Sequence, residues 1–262
     1  MAALHQKLEN GGSSSKLNRA KEANKRATFH RNLFRDDKER PFTAEWNETR
    51  LNIKKALSFY RKLLVNRKLL DKLSQDHGNG SEIRRNSGLK LHMRAAKVVQ
   101  SSEKYWVNTG KQIGPISGID IGDEFYWRGE LVIVGLHRDF QRGIDWMKLF
   151  NGKTLATSIV ESGRYENVNG VSSDRMVYCG EGENPNLSRG KKPKDQNLVR
   201  GNLALKNSMD EKMPVRVIRR SFNDGVDYKF VYSGLYLVTE YWKEKGKFGK
   251  DVYKFLLRKC EE

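Results

Sequence analysis

In the glycine-punctuated stretch "NTGKQIGPISG", residues 108–118, the spacing of apolar residues changes from steps of three and four to steps of two, and this switch limits the fold more than any other feature of the chain. Before it, Trp46, Ile53, Leu57, Tyr60 and Leu64 recur at helical steps or their multiples, and Leu69, Leu70 and Leu73 continue the pattern. Thr43 is suited to cap such a helix, Glu45 and Glu48 suit its positive end, and "HGNGS" (77–81) ends it. A second helix is predicted over about 88–101, with Leu89, Met93, Ala96 and Val99 on one stripe. After the switch come "IDIGDEFYW", "LVIVGLH", "TLATSIV", "RMVYC", "VRVIR", "YKFVYSGLYLV" and "VYKFLLRK", short runs rich in β-branched and aromatic residues that read as strands. One helix is predicted to interrupt them near 195–208, "DQNLVRGNLALKNS", against the cost of Gly201. Helices first and strands after make this an α+β chain: a helical hairpin, then a mainly β domain.

Charge narrows the partner class. Fifty Lys and Arg against 32 Asp and Glu leave +18, a field that attracts polyanions, with nucleic acid the first candidate and an anionic membrane face the second. The first 110 residues carry 24 basic against 11 acidic side chains, so most of the excess lies there. Residues 1–40 hold few apolar anchors and read as a disordered basic tail, whose clusters would suit nuclear import. Basic residues between the helical stripes read either as DNA contacts or as a solvated face. Apolar runs such as "LVIVGL" fall far short of the ~18 residues of a membrane span, and the N-terminus lacks a signal-type apolar region, so a soluble, intracellular chain is expected. Cys179 and Cys260 stand 81 positions apart, and the five histidines are scattered, which predicts reduced thiols and neither a metal nor a cofactor.

Two polar stretches between the predicted strands carry large planar side chains. In "HRDFQRGIDW" (137–146), Arg138 and Arg142 flank Phe140 and Gln141. In "SGRYENVNGVSSDRMVYCGEG" (162–182), Tyr165 and Tyr178 lie beside groups able to read the edge of a planar ligand. Such a pair is either a set of core anchors or a ligand sandwich, and spacing leaves both open.

The segments "IGDEFYW", "VGLHRDFQRGID", "ATSIVESGRYEN", "MVYCGEG", "KKPKDQNLVRGNLALKNS", "PVRVIR" and "YSGLYLVTEYWKEKG", in that order, resemble the SRA domain, also called the YDG domain. The resemblance is to its plant form, which precedes the catalytic region of suppressor-of-variegation-type histone methyltransferases. It divides the chain into a tail (1–40), a helical hairpin (41–107) and an SRA-like domain (108–262), and it implies a twisted, crescent-shaped β-barrel that flips 5-methylcytosine out of duplex DNA. Tyr165 and Tyr178 would then stack on the flipped ring, Gln141 on a thumb loop would fill the vacated space, Asn167 or Glu166 would accept from the exocyclic amine, and backbone at Ser162 and Gly163 would meet the remaining edge. Arg138, Arg142, Lys191 and Lys192 would contact phosphates.

What the resemblance implies is a nuclear, non-enzymatic reader of methylated duplex DNA, without cofactor, metal or membrane. The alternative is an SRA-like module that binds DNA without methyl selectivity or docks on chromatin proteins. Several positions depart from the family pattern. Asn167 stands in an acidic run and is a weaker acceptor than a carboxylate. Arg164 replaces a glycine, and Cys179, Glu181 and Glu183 follow the second tyrosine, two of them carboxylates that repel DNA unless turned away. The Tyr-Asp-Gly signature reads Tyr232, Ser233, Gly234, with the middle position expected in a turn.

Overall fold

A computed structural model describes residues 43–76, 89–161, 168–172, 174–182, 194–222 and 228–260, all within one compact unit. These residues form helices α1 (Ala44–Val65), α2 (Arg67–Asp76), α3 (Leu89–Gln100), α4 (Arg128–Val134) and α5 (Arg200–Asp210). The strands are β1 (Glu124–Phe125), β2 (Ile144–Lys148), β3 (Thr154–Val160), β4 (Val168–Ser172), β5 (Arg175–Cys179), β6 (Val215–Phe222), β7 (Tyr228–Lys245) and β8 (Asp251–Lys259). The α+β class is as expected.

Thr43 caps α1 through its hydroxyl, which accepts from the Trp46 amide at 3.2 Å. The inward face is Ile53, Ala56, Tyr60 and Leu63, whereas Trp46 and Leu64 are only half-buried. The single helix expected through Leu73 is two helices. Asn66 leaves the helical region at φ −96°, ψ 87°, and its side-chain oxygen accepts from the Leu69 amide at 3.0 Å, which starts α2. Ala95, Ala96, Val98 and Val99 of α3 pack against this pair, and their small size lets the helices approach closely.

The run "LVIVGL", expected as a strand, is the body of α4 and the turn after it. A short, wholly apolar run carries no period that separates a buried strand from a buried helix. Here Gly135, at φ +83°, ends the helix in the left-handed conformation. The helix is tied to α1 by Glu130, fully buried, whose two oxygens accept from Arg61 Nε at 2.8 Å and the Tyr126 amide at 2.7 Å.

The eight strands form one sheet in the order β2-β3-β6-β7-β8-β5-β4, with β1 on β7. Only β3 and β6 pair in parallel. Among the described residues the hydrogen-bonded path ends at β2 and β4, so the sheet is open where the expected barrel would be closed. Register shifts in four of its ladders, β2–β3, β4–β5, β6–β7 and β7–β8, mark where it bends. Thr157 is the extra residue opposite β2, Ser233 opposite β6 and Thr239 opposite β8. Ser233 therefore sits inside a strand, not in the expected turn, and the following Gly234 takes φ +102°.

Helix α5 covers the β2 side of the sheet. Its Ser208 hydroxyl accepts from the Ala156 amide at 3.0 Å, and Asn207 donates to the Thr154 carbonyl at 2.9 Å. Gly201, which weakens the helix intrinsically, is required by this packing: a Cβ there would lie 2.8 Å from Glu181 Cδ and 2.9 Å from Ile144 Cβ.

Candidate nucleic-acid interface

The loop from His137 to Gly143 joins α4 to β2 and is held from within. Asp139 accepts from the amides of Gln141 at 2.8 Å and Arg142 at 2.7 Å, closing a tight turn. Asp145 accepts from the Arg138 amide at 2.9 Å and from Lys111 Nζ at 2.5 Å. His137, fully buried, bridges the two ends: Nε2 meets the Arg142 carbonyl at 3.0 Å and Nδ1 meets the Ser158 hydroxyl at 2.8 Å. A carbonyl only accepts, so Nε2 carries the proton and Nδ1 accepts from Ser158. Burial, with the Arg128 guanidinium adding to it, pushes the His137 pKa down to about 3, so the ring is neutral. For Asp145 burial works against the charge, but the Lys111 ammonium and the Arg138 amide outweigh it and hold its pKa below the usual carboxylate value.

This framework presents Gln141 and Arg142 to solvent and leaves Arg138 half-buried. Among the described residues Arg142 forms a long ion pair, 3.7 Å to Asp139. The expected thumb residue and two of the four expected phosphate contacts thus share one ordered loop.

Tyr178 lies on β5 opposite Phe255 of β8, and its ring is buried with Ile144, Ile159, Ala204 and Leu205. Tyr178 is therefore part of the core cluster beneath the loop. Its hydroxyl donates to the Val160 carbonyl at 3.5 Å, and it occupies the space that a side chain at Gly143 would need, since a Cβ there would approach Tyr178 Oη to 2.3 Å. The end of the Gln141 loop and the tip of Tyr178 are therefore in direct contact.

The residues after Tyr178 turn their polar groups inward. Gln196 donates to the Gly180 carbonyl at 2.9 Å and Asn202 to the Glu181 carbonyl at 2.9 Å. Glu181 itself accepts from the Gly201 amide at 2.9 Å and so supplies the cap for α5 that Val199 does not. Burial raises its pKa, against the pull of that amide and of Arg142. This carboxylate faces the helix and not an approaching backbone. Arg216 on β6, fully buried, donates to the carbonyls of Leu136 at 3.2 Å, Gln112 at 2.8 Å and Gly114 at 2.6 Å, and pins the start of the loop to the sheet.

Ser162, Gly163, Arg164, Tyr165, Glu166, Asn167, Glu183, Lys191 and Lys192 lie outside the described residues. Sequence reasoning missed His137, Asp145, Arg216 and Glu181 as supports of the site. Only the pairing of His137 and Asp145 at the two ends of one loop offered a signal.

The sequence pattern of the SAD/SRA domain matches residues 112–262, more than half of the chain. The chain belongs to the SAD/SRA family. Among curated proteins it is similar to the H3 lysine-9 specific histone-lysine N-methyltransferase SUVH5 of Arabidopsis thaliana, 44% identical over 194 residues, covering 72% of this chain and 24% of that protein. It is also similar to a YDG domain-containing protein of Arabidopsis thaliana, 45% identical over 169 residues, covering 64% of this chain and 51% of that protein. The chain thus spans about a quarter to a half of these relatives' length. Among solved structures, the SUVH5 SRA domain in complex with fully methylated CG DNA matches with a TM-score of 0.51 and 50% identity over 58% of this chain and 96% of that one. KRYPTONITE in complex with mCHH DNA, an H3(1–15) peptide and SAH matches with a TM-score of 0.66 and 31% identity over 81% of this chain and 43% of that one. This second likeness reaches beyond the SRA segment into the residues before it.

Proposed function

We propose that this chain is a nuclear, non-enzymatic reader of 5-methylcytosine that flips the modified base out of duplex DNA. The observation that carries this reading is its 50% identity, over nearly the whole of that domain, to an SRA domain solved with fully methylated CG DNA. The local geometry supports it. A solvent-facing Gln141 stands on an ordered, arginine-flanked loop whose end, at Gly143, meets the hydroxyl of one of the two tyrosines assigned to the flipped base. Tyr165 supplies the second stacking face, Asn167 or Glu166 with the Ser162 and Gly163 backbone the base edge, and Arg138, Arg142, Lys191 and Lys192 the phosphate contacts.

The energetics allow such a mechanism. Unpairing and unstacking one base costs a few kcal/mol, and stacking on an aromatic returns roughly 1–3 kcal/mol, so two rings and the edge contacts offset the flip. The methyl group adds about 0.8 kcal/mol, a severalfold preference, while phosphate contacts supply most of the affinity and its salt dependence.

The test is fluorescence anisotropy of the full chain on matched unmethylated, hemimethylated and fully methylated duplexes, with Tyr165→Ala in parallel. Methyl-dependent binding that the substitution abolishes supports the reading. Equal binding to all three duplexes, indifferent to Tyr165, would establish instead a DNA-binding or docking module without methyl selectivity.

A further inference from the structure

The helices that precede the SRA segment reach the Gln141 loop at two points. Phe140, its neighbour in that loop, packs against the cluster built by Ala56, Tyr60 and Leu63 of α1, Leu70 of α2 and Val99 of α3. On the loop's other flank, Arg128 donates to the Arg142 carbonyl at 3.1 Å and reaches the Asp139 carbonyl at 3.5 Å. Arg128 stands in the first turn of α4, and the helices grip that turn on every neighbouring residue. Trp127 stacks on His92 of α3, with ring centroids 3.9 Å apart. Gly129 lies against the Tyr60 ring, so closely that a Cβ would meet the hydroxyl at 2.3 Å. Glu130 binds Arg61 of α1.

From these contacts we infer that Arg128 and Phe140 are positioning residues, through which the helical segment holds the Gln141 loop at the height and angle needed to enter the duplex. The inference rests on the base-flipping reading above. Gln141 sits next to Phe140 in sequence, so the depth at which Phe140 seats in the helical cluster sets where Gln141 projects. Arg128 fixes the loop through its backbone and therefore leaves the Gln141 and Arg142 side chains free to meet DNA. A loop held in place before DNA arrives has little ordering entropy left to lose when it enters the stack. The helices would then act on base reading without touching the base.

The experiment compares the full chain with Arg128→Gln, Arg128→Lys, Phe140→Ala and Phe140→Leu. Amide hydrogen exchange of residues 138–143 in the DNA-free proteins reads the positioning directly. The fluorescence of 2-aminopurine placed beside the target cytosine of a methylated duplex reads the flip. Arg128→Gln and Phe140→Ala are expected to speed exchange in the loop while β6 and β7 stay protected, to abolish the 2-aminopurine rise, and to weaken methylated-duplex binding roughly tenfold, with unmethylated binding changed less than about twofold. Arg128→Lys and Phe140→Leu should restore part of each effect. Unchanged loop exchange in both disruptive variants overturns the inference. So does a freed loop with the 2-aminopurine rise intact. If a disruptive variant loses sheet protection as well, its conservative partner decides. If the wild type shows no 2-aminopurine rise, the base-flipping reading fails, and loop exchange still determines whether Arg128 and Phe140 hold the loop.

Discussion

Gly143 and Tyr178 share one space: the missing side chain of the first is where the hydroxyl of the second lies, at 2.3 Å from an ideal Cβ. Tyr178 is a stiff ring packed among Ile144, Ile159 and Leu205, so it has little room to retreat. Gly143→Ala is expected to cost about 1–3 kcal/mol of stability through overpacking, measurable by chemical denaturation. It should also tilt the ring and lower methylated-DNA affinity more than unmethylated. An alanine accepted with no loss in either measurement would show that Tyr178 moves freely, against the packing described. Tyr178→Phe, which keeps ring and core volume, is expected to retain the fold. It is therefore a cleaner probe of this position than truncation to alanine, which would open a cavity in the core.

The buried His137 is expected to make the protein acid-sensitive. Its pKa is depressed in the folded state to about 3 by burial, whereas the unfolded chain titrates near the ordinary value of 6.5. Below 6.5 the unfolded state therefore takes up a proton that the folded state refuses, so stability is fully present above this value and falls as pH drops toward 3. The slope approaches roughly 1.4 kcal/mol per pH unit for one such group. His137→Gln can still donate to the Arg142 carbonyl and accept from Ser158 without titrating. It should flatten the decline in denaturation midpoint between pH 6 and pH 4, and a decline of unchanged steepness would assign the acid sensitivity to other groups.

How much of this was legible beforehand depended on whether a feature is local. The period switch near Gly110 placed the helices before the sheet, and Thr43 announced its own cap. The helix "RGELVIV" was not legible, because a run buried on all sides carries no polar face to reveal its period. Its helical state is supported by Arg61 and His92, residues more than thirty positions upstream. Gly201 counted against α5 in isolation and is explained only by the nearness of Glu181 and Ile144. In the same way, motif order marked Gln141, Arg138 and Arg142, but the ties that hold their loop run to Arg128, Ser158 and Lys111. Such contacts exist only after the chain has folded.

Glu181 separates two roles that its charge and its geometry play. Glu181→Gln keeps an oxygen for the Gly201 amide and removes a negative charge close to Arg142, so stability should hold while DNA affinity rises modestly at low salt and less at high salt. Glu181→Ala removes the cap and is expected to cost about 1 kcal/mol. Thermal unfolding and salt-dependent anisotropy measure the two effects separately. A loss of affinity in Glu181→Gln would mean that the carboxylate itself takes part in binding.

Arg216 is the costliest polar residue of the site to replace. Burial lowers its pKa to about 10, and its described partners are three backbone carbonyls, from Leu136, Gln112 and Gly114. A methionine fills much of the same volume but offers no donor, leaving those carbonyls without the guanidinium in a region closed to water. Arg216→Met is therefore expected to lower stability by roughly 1–3 kcal/mol, the range for leaving buried hydrogen-bonding groups unsatisfied. Lysine keeps the charge but cannot span carbonyls contributed by two separate segments, so Arg216→Lys should recover only part of that loss. Denaturation midpoints of the two variants give the magnitude, and exchange of the amides near Gly114 and Leu136 gives the location. Loosening at both segments together would identify the single guanidinium as the tie between them, whereas a methionine variant as stable as the wild type would show that the carbonyls find other donors.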